Sequence, residues 1–201
     1  MDEKRFRQQL AFSLELDKEK NIFRQTHLSG YGRNENDAEH AWHMAIMAYL
    51  LREYANTELD ITRTMLMILI HDVVEIDAGD TYAYDPKGKE TQKERELQAA
   101  DRLFGMLPED QAAEFRALWD EFEEYETPES RFAHTMDNFQ PMLLNNSNNG
   151  TDWVAHGIAR PQVEKRNEKT AAGSEAIWEY MKTVIDKHVE AGTLKQAETK
   201  E

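Results

Sequence analysis

One apolar stretch decides the fold: residues 65–74 read MLMILIHDVV, so a neighbouring histidine and aspartate, His71 and Asp72, stand among aliphatic and methionine side chains. A helix that is apolar nearly all round is typical of the centre of a bundle. Burying an imidazole and a carboxylate there is costly unless each finds a partner. A divalent cation satisfies both groups at once, and these ligands suit Mn, Fe, Co, Ni or Zn better than Ca. The stretch therefore predicts a metal site inside a helical core.

Helical spacing dominates outward from this stretch in both directions, and strand-like alternation is scarce. Pro141 lies within the apolar pattern of the helix that carries Asp137 and should kink or end it. The sequence predicts an all-α bundle forming a single domain over residues 1–201, with a core of about 5–145 and a C-terminal helical extension over 150–190. The predicted helices run from Phe6 to between Lys18 and Phe23, then over about 37–54, 62–76, 93–106 and 111–125, from Thr127 onward, and over 162–189.

The composition excludes several classes of protein. The chain has 201 residues, 24 of them basic and 39 acidic, a net charge of −15 and no cysteine, which rules out disulfides and thiolate metal sites. This charge argues against binding a nucleic-acid polymer. A small anion is compatible with it, because a bound metal can dominate the local field, but the anion must reach the site through a locally favourable patch. No apolar run approaches the roughly 20 residues that span a bilayer, so we expect a cytoplasmic protein without a membrane segment.

A metal beside His71 and Asp72 needs further ligands from other helices. On a helix, His71 and Glu75 share a face, while Asp72 is rotated by about 100°. The best candidates for the remaining ligands are His40 and Asp137. Each of these two, taken alone, is as well explained as a helix-surface residue. The four together favour a metal site more strongly than any single member.

The chain carries, in this order and on predicted helices, one histidine, the His-Asp doublet and a later aspartate. This ordered set resembles the HD-domain metal-dependent phosphohydrolase superfamily, nearest to its 5′-deoxynucleotidase-like branch. The likeness covers roughly residues 5 to 145. The doublet alone is a weak motif, but the set becomes fairly specific with Glu75 and the Gly79-Asp80 pair. The matching stretches are RNENDAEH at 33–40, HDVVEIDAGD at 71–80, ETPE at 126–129 and Arg131-Phe132 through Asp137.

The resemblance implies an HD-domain helical bundle that holds one divalent transition metal. It also implies that Glu75 and Asp80 handle the water and the protons of a hydrolytic reaction. A metal lowers the pKa of water enough for attack on phosphorus near neutral pH, which agrees with these roles. The implied metal ligands are His40, His71, Asp72 and Asp137.

A phosphorylated substrate also needs cationic side chains. Arg24 and Arg33 lie in the loop that leads to His40, and Lys87 and Lys89 follow Asp80. Of these Arg33 fits the resemblance best, and Arg24 is the second substrate-binding candidate. In the bacterial deoxynucleotidases an Arg-Trp pair contributes to nucleotide recognition, whereas residues 23–27 read FRQTH here. The missing tryptophan leaves the nucleotide specificity open.

The predicted function is therefore an enzyme, a metal-dependent phosphohydrolase that cleaves a small phosphomonoester such as a (deoxy)nucleoside 5′-monophosphate. One alternative is an alarmone-type pyrophosphohydrolase. In enzymes of that type a Glu-Asp pair follows the HD motif, whereas Glu75 is followed here by Ile76, which disfavours this alternative. Another is a non-catalytic metal- or nucleotide-binding protein, which would not need both Glu75 and Asp80. A homodimer and the role of the C-terminal extension stay open.

Overall fold

The computed structural model describes residues 1–85 and 87–197, without the side chain of Lys89. Pro86 and the last residues of the predicted domain, 198–201, lie outside this part. The predicted all-α class is confirmed, and none of the described helices is long and apolar enough to cross a membrane. The helices are α1 Glu3–Leu16, α2 Asp37–Leu51, α3 Ile61–Ile70, α4 Glu75–Ala78, α5 Gly88–Phe104, α6 Glu109–Glu124, α7 Pro128–Ser147, α8 Thr151–Ala155, α9 Arg160–Asn167 and α10 Glu175–Glu190.

Helix α3 lies at the centre, in contact with α2, α6 and α7. Its buried side chains divide between two apolar clusters: Met67 and Ile68 pack in the larger, and Ile70 in the smaller, beside α5 and α6. Leu69 is 42% exposed, so the helix is not buried on every side. The larger cluster also contains side chains from the predicted C-terminal extension, which therefore packs against the core: Trp153, Ile158, Val163, Ile177, Met181, Val184 and Ile185.

Two capped helix starts fix the positions of the first and last predicted metal ligands. The side chain of Asn36 accepts a hydrogen bond from the backbone N–H of Glu39, and the side chain of Glu39 accepts one from the backbone N–H of Asn36, so α2 begins one turn before His40. Thr127 and Ser130 cap α7 in the same reciprocal way, and Pro128 occupies the first helical position. Both starts were predicted, because capping residues and an early proline are local signals.

The predicted continuous helix over 62–76 is wrong after Ile70. Helix α3 ends there, His71–Val74 forms a 3₁₀ turn, and α4 follows as a single short turn. Gly79 ends α4 with φ of +75°, a conformation that glycine adopts without steric cost. The change in winding means that the side-chain directions of an ideal α-helix do not apply to His71, Asp72 and Glu75.

The chain also departs from prediction on either side of the apolar core. Part of the predicted loop 26–36 is a two-stranded antiparallel sheet, β1 Phe23–His27 and β2 Asn34–Asn36, too short to show an alternating pattern.

Helix α7 does not end at Pro141 but continues to Ser147. A proline removes only one helical hydrogen bond, and packing of α7 against α2, α3 and α10 compensates for it.

The predicted final helix over 162–189 is two helices, α9 and α10, separated by a 3₁₀ turn at Thr170–Ala172. At the break the chain passes against α7: a Cβ on Gly173 would lie 2.3 Å from the carbonyl oxygen of Arg131. Ser174 then caps α10 by accepting from the backbone N–H of Ile177. A tertiary contact thus interrupts a stretch whose local pattern is helical.

Candidate metal centre

The four predicted metal ligands come from three separate elements and meet at one place. His40 lies on α2, His71 and Asp72 lie on the 3₁₀ turn after α3, and Asp137 lies on α7. Ligand atoms of His40, His71 and Asp72 all lie within 4.8 Å of one another. The Nε2 atom of His40 is 3.2 Å from Oδ1 of Asp137. His40, His71 and Asp72 form a group able to bind a metal, and Asp137 contacts its His40; we call these four side chains the metal cluster.

Hydrogen bonds orient both imidazoles for metal binding. The Nδ1 atom of His71 lies 2.7 Å from the backbone oxygen of Ile68, and that of His40 lies 2.9 Å from Oε1 of Gln140. Gln140 in turn donates from its Nε2 to Glu35 at 2.8 Å, which fixes the orientation of its amide. An Nδ1–H donated to an oxygen leaves Nε2 with a free lone pair, the usual state of a metal-bound histidine. Nε2 of His71 is buried and lies 3.1 Å from Oδ1 of Asp72, but among the described residues it has no partner with hydrogen-bond geometry. The donor set therefore fits a divalent cation.

The charged side chains of the metal cluster shift one another's pKa values. Burial by itself lowers the pKa of His71, but the adjacent Asp72 carboxylate outweighs it and raises the pKa to about 9. Burial alone would raise the pKa of Asp72, but the charges of His71 and Arg24 outweigh burial and lower the pKa to about 2. The pKa of Asp137 falls well below its usual range despite burial, because His40 donates to it. In the metal-free protein a protonated imidazole balances part of the carboxylate charge, and a bound metal would displace that proton.

A second group of carboxylates adjoins the metal cluster and contains both predicted catalytic residues. Oxygen atoms of Asp37, Glu75 and Asp80 lie within 4.8 Å of one another, close enough to hold a cation or to share a proton. Asp37 is fully buried, and among the described residues its two oxygens, like Oε2 of Glu75, have no hydrogen-bond partner. Burial, together with Asp72 and Asp37, raises the pKa of Glu75 well above its usual value.

The two predicted substrate-binding arginines lie in different surroundings. Arg24, on β1, reaches the metal cluster, where its Nη1 donates to Oδ2 of Asp72 at 2.9 Å. Burial lowers the pKa of Arg24, but Asp72 and Asp137 outweigh it and raise the pKa, so the guanidinium stays charged. Arg33 lies at the surface and pairs with Glu39, so the structure does not bring it to the cluster. Lys87 is exposed, and the side chain of Lys89 lies outside the described part.

A cavity of about 430 Å³ opens onto the metal cluster, within the ~300–1,000 Å³ range of small-molecule sites. One wall follows a single face of α7 from Asp137 through Pro141 to Asn145. The loop after Asp80 lines another side. The C-terminal segment supplies further lining residues, among them Trp153, His156, Arg166 and Lys169.

Three residues at this site escaped the sequence prediction. Asp37 stands in the matching stretch at 33–40 but was not named as a site residue, although it lies three residues before His40 and so shares its face of α2. The same spacing relates Gln140 to Asp137, and a polar side chain on that face was the available signal. Arg166 lies 29 residues beyond Asp137, and its Nη2 is 3.5 Å from Oδ2 of that residue. Nothing in the local pattern marks Arg166 as a site residue.

Comparison with known proteins agrees with this geometry. The HD domain family matches residues 16–178, so the chain belongs to the HD-domain family, as predicted. It is 31% identical to the human 5′-deoxynucleotidase HDDC2 over 111 residues, which are 55% of this chain and 53% of the human protein. It is 32% identical to a 5′-deoxynucleotidase of Yersinia pestis over 97 residues, which are 44% of this chain and 49% of that protein. The chain spans about half the length of the curated relatives it matches.

Solved structures extend the likeness to nearly the whole chain. A protein of Magnetospirillum magnetotacticum, named a predicted metal-dependent phosphohydrolase, superposes with a TM-score of 0.92 at 48% identity over 96% of this chain and 97% of its own. A conserved hypothetical protein of Pyrococcus furiosus superposes with a TM-score of 0.57 at 19% identity, over 90% of this chain and 99% of its own. At that identity the second match shows the fold alone.

Proposed function

We propose that the protein is a metal-dependent phosphohydrolase that cleaves a small phosphomonoester, with a (deoxy)nucleoside 5′-monophosphate as the best-supported substrate. One observation carries the proposal: two imidazoles and a carboxylate from two elements present their ligand atoms within 4.8 Å of one another, beside a cavity of substrate size. Membership of the HD-domain family and the names of the curated relatives and of the Magnetospirillum protein support it.

His40, His71, Asp72 and Asp137 would hold the cation. A divalent cation bound there would lower the pKa of a water molecule and polarise a phosphoryl oxygen. Histidine and aspartate ligands admit Mn, Co, Fe, Ni or Zn, and affinity order does not choose among these without knowledge of supply. The native metal is therefore part of what the experiment must identify.

Glu75 and Asp80 are the proposed proton-handling groups. Glu75 is buried next to the metal cluster with one carboxylate oxygen unpaired among the described residues. A cation bound beside it would favour its ionised form, which suits a group that accepts a proton from the attacking water. The water oxygen forms a bond to phosphorus as the bond from phosphorus to the ester oxygen breaks. Burial raises the pKa of Asp80, which favours a protonated acid able to donate to the departing alkoxide. The products are inorganic phosphate and an alcohol.

The test combines elemental analysis of the purified protein with a panel of 5′-ribonucleotides and 5′-deoxyribonucleotides, in the presence of Mn or Co. We expect release of inorganic phosphate that Asp72→Ala abolishes and Glu75→Ala strongly reduces. Asp77→Ala is the matched control, because Asp77 lies on the same short helix but pairs with Arg102 near the surface.

Two other outcomes would replace the proposal. A metal-loaded protein that is inert to every phosphomonoester but binds one of them tightly would be a non-catalytic sensor. Release of pyrophosphate from a guanosine polyphosphate, without attack on monophosphates, would favour the alarmone-type reaction.

A further inference from the structure

A phosphate dianion must find positive charge in a cavity whose metal end is rich in carboxylates. The chain as a whole carries a net charge of −15. A bound cation offsets part of the local negative charge, but phosphate sites also use guanidinium groups, whose N–H bonds match phosphate oxygens in pairs. The acidic residues that line the cavity are Asp72, Glu75, Asp80, Glu96, Glu123, Asp137 and Asp152, and Asp37 is fully buried beside Glu75 and Asp80.

Arg24 reaches this end of the cavity, but its charge is already shared among carboxylates. Besides donating to Asp72, it places Nη1 3.5 Å from Oδ1 of Asp37 and Nη2 3.9 Å from Oδ1 of Asp137. Its Nε lies 3.7 Å from Oε1 of Glu35. The side chain is only 12% exposed. Arg24 is therefore held in a network of buried acids, and its contribution to binding a new anion is correspondingly small.

Arg166 offers the contrasting case. It lies in the last turn of α9 and lines the cavity, with 24% of its side chain exposed. Its one polar contact within the described residues is the long one, 3.5 Å from Nη2 to Oδ2 of Asp137. That oxygen is not the one that contacts His40, since His40 lies against Oδ1. Arg166 thus stands beside the metal cluster with most of its N–H groups uncommitted.

The segment around Arg166 is locally positive. Residues 160–169 contain four basic and two acidic side chains, in contrast to the rest of this acidic chain. Lys169 lines the same cavity, with its Nζ 5.3 Å from the ring centre of Tyr125. This is the kind of favourable patch through which an anion can reach an otherwise acidic site.

Helix α9 is anchored firmly enough to position a ligand-binding side chain. Val163 is fully buried in the larger apolar cluster. Asn167, next to Arg166, is buried and donates from Nδ2 to the carbonyl oxygen of Val163 at 2.7 Å. Because the backbone is fixed in this way, only the side chain itself loses freedom when it binds a ligand.

We infer that Arg166 binds the phosphate group of the substrate beside the metal cluster. This inference rests on the proposed function for the identity of the substrate, but the binding of phosphate can be tested without turnover. It assigns the C-terminal segment a direct part in the site, as the source of a phosphate-binding residue. The planar guanidinium donates to two phosphate oxygens, while its contact with Asp137 keeps it next to the cation.

The experiment measures binding of inorganic phosphate to the Mn-loaded full chain by calorimetry, in parallel with KM and kcat on the best mononucleotide. We expect Arg166→Gln to weaken phosphate binding and lower kcat/KM about tenfold to a hundredfold, the usual effect of losing hydrogen bonds to a charged group. Arg166→Lys should recover part of the loss, because it keeps the charge but not the paired geometry. Arg160→Gln is the matched control on the same helix, since Arg160 pairs with Glu164 and Asp186.

Affinity for Mn separates phosphate binding from a structural role. Arg166→Gln should keep the Mn content and Mn affinity of the wild type. If it binds phosphate as tightly as Arg160→Gln does, or if it loses Mn because Asp137 is displaced, the inference is wrong. Wild-type protein that binds no phosphate would also overturn it. Protein that hydrolyses no phosphomonoester, yet binds phosphate in an Arg166-dependent way, would contradict the proposed function and leave this inference standing.

Discussion

The metal cluster and the C-terminal wall of the cavity, residues 150–173, are built in different ways. In the metal cluster His40 is fully buried, His71 is 5% exposed, and a hydrogen bond at Nδ1 fixes the direction of each ring. The C-terminal wall consists of two short helices, α8 and α9, and its Arg166 keeps 24% of its side chain exposed. Ligands that must hold a cation need fixed geometry, whereas a residue that contacts a substrate must remain accessible.

This difference predicts two separable kinds of damage. Changes at the metal cluster and its neighbouring carboxylates should alter metal binding or the rate of the chemical step. Changes in the C-terminal wall should alter affinity for the phosphate group while the metal stays bound. The following variants and conditions are chosen to break or sharpen that separation.

The largest effect is expected from Glu75→Gln. Loss of a general base typically lowers kcat by about 10²–10⁴-fold. Because Glu75 is not among the four predicted ligands, Mn content should not change, and phosphate affinity should stay within a few-fold, unlike that of Arg166→Gln. Steady-state kinetics and calorimetry measure the two quantities. Glu90→Gln, on the exposed first turn of α5, controls for the loss of a carboxylate. A kcat equal to that of the control would remove Glu75 from the reaction.

The next effect is the pH dependence of metal affinity. Asp72 raises the pKa of His71 to about 9 despite burial, so this ring carries a proton at neutral pH in the metal-free protein; the pKa of His40 is also raised, by Asp137 and Glu35, despite burial. A metal must displace any proton that an imidazole carries, and its affinity therefore falls as pH falls. From about pH 8 to about pH 6 we expect a loss of roughly 100-fold for each proton displaced. Titration in two buffers of different ionisation heat counts the protons, and an affinity independent of pH would show neutral rings.

A smaller effect is expected from Gln140→Ala, which removes the oxygen that orients His40. Loss of such a partner typically weakens metal affinity by about 10–100-fold. Competition with a chelator measures the affinity. The control is Ser147→Ala at the end of the same helix, where the hydroxyl bonds only to the backbone of Leu144 within the described residues. Equal affinities in the two variants would mean that packing alone orients the His40 ring.

The smallest functional effect is expected from Gly173→Ala, at the break between α9 and α10. The added methyl group would meet the carbonyl oxygen of Arg131 at 2.3 Å, and overpacking of this kind costs about 1–3 kcal/mol of unfolding free energy. Urea unfolding of the metal-free protein measures the loss. Gly32→Ala is the control, because nothing lies within 4 Å of its added Cβ. Mn binding should survive in both variants. Unchanged stability of Gly173→Ala would show that the close approach to α7 relaxes easily.

The residues that could be predicted are those with a local signal. A histidine and an aspartate in an apolar run indicate a metal, and capping residues mark the starts of the helices that carry His40 and Asp137. At Pro141, where the sequence predicted a kink or an end, α7 does not end but continues to Ser147. Prediction was wrong where a contact distant in sequence decides the structure: the 3₁₀ winding at His71 and the break at Gly173. It preferred Arg33 over Arg24, because nothing local distinguishes an arginine paired at the surface with Glu39 from one held among buried acids.

The amino-acid sequence by itself determined the helical class, through hydrophobic periodicity, and the family, through its resemblance to the ordered HD motif set. It also indicated histidine and aspartate as the cation ligands, because His71 and Asp72 stand in an apolar run. Tertiary structure alone decided which charges neutralise one another and which stay available. Arg24 is bound to carboxylates from three other elements, while Arg166 reaches Asp137 from a helix 29 residues further along the chain. Electrostatic interactions depend on distance in space and not on separation along the chain. Which charges pair can therefore be identified only from the packed bundle.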